Sequence, residues 1–442
     1  KGGSMVTKCT NKMIQFPALK KRQIVAAFNG GNITSDAGAL LLRAIDKKIG
    51  LTKALKNVIP EWRDPSRCVH GLDDLMRQRI YGLALGYEDL NDHDELRLDS
   101  ALQVAINRNQ PLASSPTLCR YEQHADNKTA WKMHEVMVDQ FIASYKKPPK
   151  RIMLDFDATD DPVHGNQEGR FFHGYYDHYC FLPLYVFADQ QMLVSYLRPS
   201  KIDGAKHAWA ILALLTKRLR QAWPKVKITF RGDGGFCRWK MLRWCEKNDV
   251  DYIVGIAKNS RLTNLAKQYT DHAEWAYNEF DEAQKIFGKI WYQAKSWDKA
   301  RKIIVKAEHL KKGSNPRFIV TTLRGEADFL YRNVYCIRGE MENRIKEQQL
   351  GLFADRTSCH YWWANQLRLL MSSMAYILIE SIRRIALVGT KLSTAQVSTI
   401  RNKLFKIGAV IMTNTRKIKF MMPTSYPHQD VFALVSARLV PD

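Results

Sequence analysis

The chain has 442 residues, 45% hydrophobic and 25% charged, which is enough for two to four domains with sizeable cores and too apolar for a disordered polymer. Lys and Arg number 68 against 44 Asp and Glu, a formal net charge of +24. Such an excess points to a polyanionic partner: nucleic acid first, an anionic membrane surface second, with plain solubility as the alternative. Eight scattered cysteines, none in a C-x-x-C or zinc spacing, argue against a cysteine-based metal site and suit a reduced, intracellular setting.

Lys1 to Ser4, ahead of Met5, read as an added leader and are set aside, and no signal-peptide pattern follows. Residues 5–33 are basic, with Lys20-Lys21-Arg22 and then Asn29-Gly30-Gly31-Asn32, and predict a strand or arm followed by a turn. Thr34-Ser35-Asp36 caps a helix through Leu40, Leu41, Ala44 and Ile45. Helices are predicted over 72–86, 94–106 and 128–145, with a short helix and turn around Leu118-Cys119-Arg120-Tyr121. Residues 5–146 therefore read as a mainly helical DNA-binding or dimerisation region, in which Arg120 is a candidate DNA contact and a plain packing role is the alternative.

Lys146-Lys147-Pro148-Pro149-Lys150 marks a boundary, after which the pattern turns to strands. Strands are predicted over 151–157, 179–188, 192–197, 227–231 and 252–256, with helices over 205–223 and 236–248. A hairpin joined to βα units gives a mixed sheet with helices on its faces, here spanning 150–258. Short strands over 289–294, 303–307 and 318–323, among lysines and Trp275, Trp291 and Trp297, predict a separate β-rich insertion over 259–330. Helices follow over 335–350 and 361–388, completing the core at 331–390, and a basic C-terminal region with one more helix and a strand spans 391–442. The apolar run from Leu367 to Val388 is broken by Arg368, Glu380, Arg383 and Arg384, so it reads as a buried helix and no membrane is implied.

The chemistry concentrates in KRIMLDFDATDDPVHG, Lys150 to Gly165. Alternation places Met153, Asp155 and Asp157 on one side of its strand. Carboxylates flanked by apolar residues are expensive to bury unless they meet a cation or a partner. Asp233, in the turn Gly232-Asp233-Gly234-Gly235, ends the fourth strand, and Glu342 begins a helix after the insertion. First and fourth strands side by side would bring the two aspartates together, and a glutamate from a following helix could close a triangle. Three converging carboxylates repel one another, and bound divalent cations relieve that repulsion. Oxygen-only ligands suit two Mg²⁺ or Mn²⁺ ions, a pair that supports in-line attack at phosphorus. Asp155 remains an alternative to Asp157, Glu347 and Glu340 to Glu342, and Asp160 and Asp161 read as a turn. His164, His173 and His178 match no common metal spacing.

Five blocks carry a family resemblance: LDFDATDDPVHGNQEG, YYDHYCFLPLYVF, FRGDGGFC, YCIRGEMENRIKE and DRTSCHYWWANQLRLL. Together they resemble the DDE transposases of bacterial insertion sequences, most closely the group whose founding element is numbered thirteen-eighty, related to the branch with a Tyr-Arg-Glu-Lys signature. The resemblance implies an α/β fold: an RNase H-like mixed-sheet catalytic core with a β-rich insertion, an N-terminal all-α domain and C-terminal helices. It implies Asp157, Asp233 and Glu342 as the catalytic and metal-binding set. It implies a bacterial, nucleoid-associated endonuclease that binds terminal inverted repeats as a homodimer, cuts the element ends and joins them to target DNA. Within the signature, Tyr335 and Arg338 fall in place, while the lysine position holds Gln349, so Lys346 one turn earlier is the candidate substitute. Arg338 and Arg344 suit phosphate contact, with surface ion pairing as the alternative, Lys346 and Arg356 are candidate DNA contacts, Tyr335 is a phosphate contact or a core residue, and Trp291 and Trp297 are candidate stacking partners for a flipped base, with core packing as the alternative for either.

Overall fold

A computed structural model describes residues 13–440, so Lys1 to Ser4 and Cys9 lie outside the described residues. The chain divides into two compact units, each assembled from separated stretches: Lys1–Gly50, Pro65–Leu118 and Ser381–Asp442 form one, and Leu51–Asp64 with Cys119–Glu380 form the other.

The first unit begins with an isolated hairpin, Ile14–Leu19 paired to Arg22–Ala26. Its helices Ala39–Ile49 and Leu72–Leu85 each stop at a glycine in the left-handed region, Gly50 (φ 68°) and Gly86 (φ 96°), which releases the chain without a Cβ clash. The helix expected over 94–106 is two pieces, His93–Leu96 and Ser100–Ile106, because Asp99 accepts from the Leu102 N–H at 2.8 Å and starts a new helix. The C-terminal stretch adds the strands Ala409–Thr413 and Ile418–Met421 to Ile33–Thr34. Buried Arg401 donates to Ala84 O (2.9 Å) and Leu83 O (3.2 Å), satisfying carbonyls at the end of a helix more than 300 residues away in sequence. Residues 391–442 are thus part of this unit and do not stand apart as expected.

The second unit is built on a nine-stranded mixed sheet. Its main path runs Lys285–Tyr292, Arg301–Leu310, Arg317–Thr321, Val250–Ile256, Lys227–Gly232, Arg151–Ala158, Leu184–Ala188, Gln191–Tyr196. Lys227–Gly232 is parallel to both of its neighbours, and the remaining pairs are antiparallel. Leu154, Phe156, Phe230 and Phe236 fill the core between sheet and helices, with Phe156 edge-on to Phe230 at 5.1 Å. The helix Asn127–Ala143, assigned by sequence to the N-terminal region, packs here instead: it buries Met133, Val136, Met137 and Phe141, and His134 contacts Ser195 O at 3.1 Å. The boundary expected at residue 146 therefore falls nearer 118.

The stretch after 259 also departs from expectation. It opens with two helices, Ser260–Leu265 and Lys267–Phe280, rather than with strands. The second buries only Ala273 and Ala276, an apolar stripe too faint to read in sequence. The strands that follow are no separate insertion, because Arg317–Thr321 pairs with Val250–Ile256 and carries the central sheet outward. Buried backbone groups on that edge have to be paired, and these strands pair them. The helix Trp362–Ser381 is buried along most of its length through Gln366, Ser373 and apolar neighbours, and among the described residues no helix is long and apolar enough to cross a membrane.

Candidate active site

Asp157 sits near the end of the Arg151–Ala158 strand, and Asp233 immediately after the Lys227–Gly232 strand, which runs parallel to it and in register through Gly232↔Phe156. Parallel strands end on the same side of a sheet, so the two carboxylates emerge at the same end of the central strands. The Asp233 carboxylate accepts from Gly235 N–H at 2.9 Å, closing the glycine turn and fixing its own direction. Gly255, on the next strand, leaves room for the arrangement: a Cβ there would stand 2.6 Å from Tyr335 Oη and 2.8 Å from Gly234 N.

The third carboxylate arrives on a helix. Residues 330–338 form a π turn and a 3₁₀ turn that lead into Gly339–Leu352. From this entry Arg338 reaches both ways, donating to Asp157 Oδ2 at 3.2 Å and to Glu342 Oε1 at 2.8 Å. A single guanidinium therefore joins two of the three predicted carboxylates. Burial pushes the Asp157 carboxyl up to about 7; Arg338 opposes the shift, while the charges of Asp233 and Glu342 reinforce it. Arg338 is pulled down by burial but ends above its ordinary value, because Asp157 and Glu342 outweigh that cost. Burial raises the Tyr335 hydroxyl, with Arg338 opposing and Asp233 adding to the rise. These mutual influences locate Asp157, Asp233, Glu342, Tyr335 and Arg338 in one electrostatic neighbourhood.

Asp155 has a different job. It is buried, and it receives both Nε and Nη2 of Arg231, the latter at 2.7 Å, from the directly opposite register position on the adjacent strand. Arg231 also donates to Val334 O, so one buried side chain ties the Asp157 strand, the Asp233 strand and the segment that delivers Tyr335 and Arg338. Sequence reading passed over Arg231, although the parallel register of the two strands would have placed it opposite Asp155. Glu347 is also occupied, buried and bonded to Arg344 at 3.0 Å, and the mostly exposed Glu340 carboxylate lies 4.0 Å from the same arginine.

The remaining candidates divide. Arg344 is buried against Glu347 and does not join Arg338 as a free phosphate contact, since its guanidinium is held within its own helix. Trp297 is 7% exposed, packed edge-on to Tyr292 at 5.5 Å and under Arg301, so it is a core residue and no stacking platform. Trp291, by contrast, is 70% exposed. Lys346, Arg120 and Arg356 are exposed. Gln349 donates to Asp160 O at 2.9 Å, tethering the helix to the loop beyond Asp157. His178 pairs with Asp160 at 2.9 Å, and Asp161, expected in a turn, lies buried in the short strand Asp161–Pro162 with burial pushing its carboxyl well above the usual range.

A set of aspartate and glutamate oxygens has the donor chemistry of a hard divalent cation. Among the described residues no three His, Cys, Asp or Glu side chains stand close enough to hold an ion as they are, and Arg338 supplies the positive charge between Asp157 and Glu342.

Comparison with known proteins gives two findings. A family model described as transposase DDE domain group 1 matches residues 16–441. Among solved structures, the cryo-EM structure of the piggyBac transposase synaptic complex with hairpin DNA is similar at 12% identity and a TM-score of 0.43, covering 84% of this chain and 79% of that chain. No curated protein matches.

Proposed function

The chain belongs to the transposase DDE domain group 1 family, and from that membership we propose that it is a cut-and-paste DNA transposase with an RNase H-like core. It binds the terminal inverted repeats of its element as a homodimer, hydrolyses the phosphodiester at each element end and joins the freed 3′-hydroxyl to target DNA. The observation that carries this reading is the parallel pairing of the two aspartate strands, with Arg338 drawing Glu342 toward Asp157.

Asp157, Asp233 and Glu342 would hold two Mg²⁺ or Mn²⁺ ions. The chemistry such ions supply is activation of the attacking water or 3′-hydroxyl and charge stabilisation at the scissile phosphate. The chain's own groups do the rest. Asp157, with its carboxyl near 7, is readily deprotonated when positive charge arrives. Arg338 can exchange its two carboxylate partners for phosphate oxygens, a planar fork suited to either. Tyr335, its hydroxyl seated over Gly255, interacts with the Arg338 guanidinium and helps to orient it. Lys346, Arg120 and Arg356 offer exposed cations for the DNA backbone, and Trp291 an exposed ring for an unstacked base.

The test is one assay: labelled inverted-repeat DNA and a target plasmid with Mg²⁺. Joined product is the outcome this reading requires. Cut ends without joining would assign a stand-alone nuclease, and a shifted but uncut band a DNA-binding protein without activity.

A further inference from the structure

The hairpin at the start of the first unit is unlike the rest of the molecule. Every residue from Met13 to Ala26 is exposed, and among the described residues the two strands pair only with each other. Its side chains are nevertheless sorted. Ile14, Phe16, Ile24 and Ala26 share one face through the register Ile14↔Ala26 and Phe16↔Ile24, while Gln15 and Val25 face the other way. Phe16 is 53% and Ile24 43% exposed, so among the described residues this apolar face is left largely uncovered. A lone two-stranded ribbon is marginal in water, and this one needs a partner to be held.

Charge says which partner. The turn is Lys20-Lys21, followed at once by Arg22, and no Asp or Glu precedes Asp36 anywhere in the chain. Lys20 sits at φ 56°, in the left-handed region that favours glycine, so the tip carries a lysine side chain where the backbone would more readily hold a glycine. A two-stranded ribbon fits the major groove of B-DNA, roughly 12 Å wide, and apolar side chains there meet the thymine methyl.

We propose that the Ile14–Ala26 hairpin is a DNA-binding arm that lays its ribbon in the groove of duplex DNA, with Lys20, Lys21 and Arg22 on the phosphates and the Phe16–Ile24 face toward the bases. This contact uses none of the carboxylate-site residues and rests on the transposase reading only for the source of the DNA.

The experiment uses the full chain, a fluorescein-labelled mixed-sequence duplex and anisotropy over a salt series. Lys20→Ala/Lys21→Ala/Arg22→Ala lowers the slope of log affinity against log salt by about 2 to 3, since each lost phosphate contact removes about 0.9. Lys20→Gly relieves the turn, leaves the melting temperature equal or higher, and still weakens binding. Phe16→Ser/Ile24→Ser weakens binding with the slope retained. An unchanged slope in the triple variant overturns the proposal. So does a dimer that becomes monomer in sedimentation velocity on Phe16→Ser/Ile24→Ser while DNA affinity holds, which would give the apolar face to a second copy of the chain. If the unaltered protein binds duplex but never cuts it, the transposase reading fails and the arm stands; if it cuts and the triple variant binds equally well, only the arm fails.

Discussion

Two aspartates on one strand, two residues apart, meet arginine in opposite ways. Asp155 is 2% exposed and bonded across a register pair to Arg231, which is itself buried. Asp157 shares Arg338 with Glu342 near the end of an interior strand, and the Glu342 side chain is about half exposed. Burial raises both carboxyls, Asp155 against the pull of Arg231 and Asp157 to about 7 against that of Arg338. The first pair is closed: removing either member strands a buried charge. The second is exchangeable, because its cation sits on a side chain that can turn toward another anion. One strand thus carries a fixed anchor and a replaceable contact on the same face, and only the second has the chemistry to receive a substrate.

The contrast is sharpened most by activity. Asp157→Ala, Asp233→Ala and Glu342→Ala should each lower Mg²⁺-dependent cleavage by roughly 10³-fold or more while DNA binding in a gel shift stays near that of the parent, a magnitude typical of removing a group that acts on the transition state. Full activity in any one of them removes that residue from the site. Asp155→Ala should instead cost stability, about 3–5 kcal/mol in urea unfolding, as breaking a buried ion pair does; a cost near zero would erase the distinction between the two pairs.

The pH response has a definite sign. The Asp157 carboxyl holds its proton up to about 7 in the folded chain but releases it near the ordinary carboxylate range when unfolded. Between those values the folded state binds the extra proton, so stability falls as pH rises through that window and stays lower above it. In EDTA, Asp157→Asn, which mimics the protonated acid, should therefore stabilise by roughly 2–4 kcal/mol at pH 8 and by little at pH 4, read as a shift in the urea midpoint. Equal shifts at both pH values would refute the raised carboxyl. The smallest effect belongs to Arg338→Gln, which should change stability by about 1 kcal/mol or less, since Glu342 is half exposed and the Asp157 carboxyl can take up a proton when its cation is lost. A loss as large as that of Asp155→Ala would make the open pair a second anchor.

Much of this arrangement was legible in the sequence. The strand ending at Asp157, the glycine turn at Asp233 and their adjacency follow from alternation and the order of elements, and the structure brings both aspartates together with Glu342 in one electrostatic neighbourhood. Burial was the harder quantity. Trp297 and Arg344 occur in stretches rich in charge, and nothing local says that one is packed under Arg301 or that the other is held by Glu347. Long-range pairing was harder still. Arg401 capping the helix near Ala84 joins the C-terminal stretch to the N-terminal one, a link that no sliding window can show. The strands over 285–321 were visible as strands, but their attachment to Val250–Ile256 depends on which sheet edge lay open.

That attachment has a mechanical side. Trp291 lies on the outermost strand of the central sheet, and unbroken ladders run from it through Arg301–Leu310, Arg317–Thr321 and Val250–Ile256 to the two strands bearing Asp233 and Asp157. A tether of loops would act as a hinge and let the edge swing. Hydrogen-bonded strands carry load in shear, each ladder passing force to the next. Tension applied at the Trp291 edge is therefore borne by the same sheet that spaces the carboxylates, and yielding there requires ladders to part rather than a joint to turn.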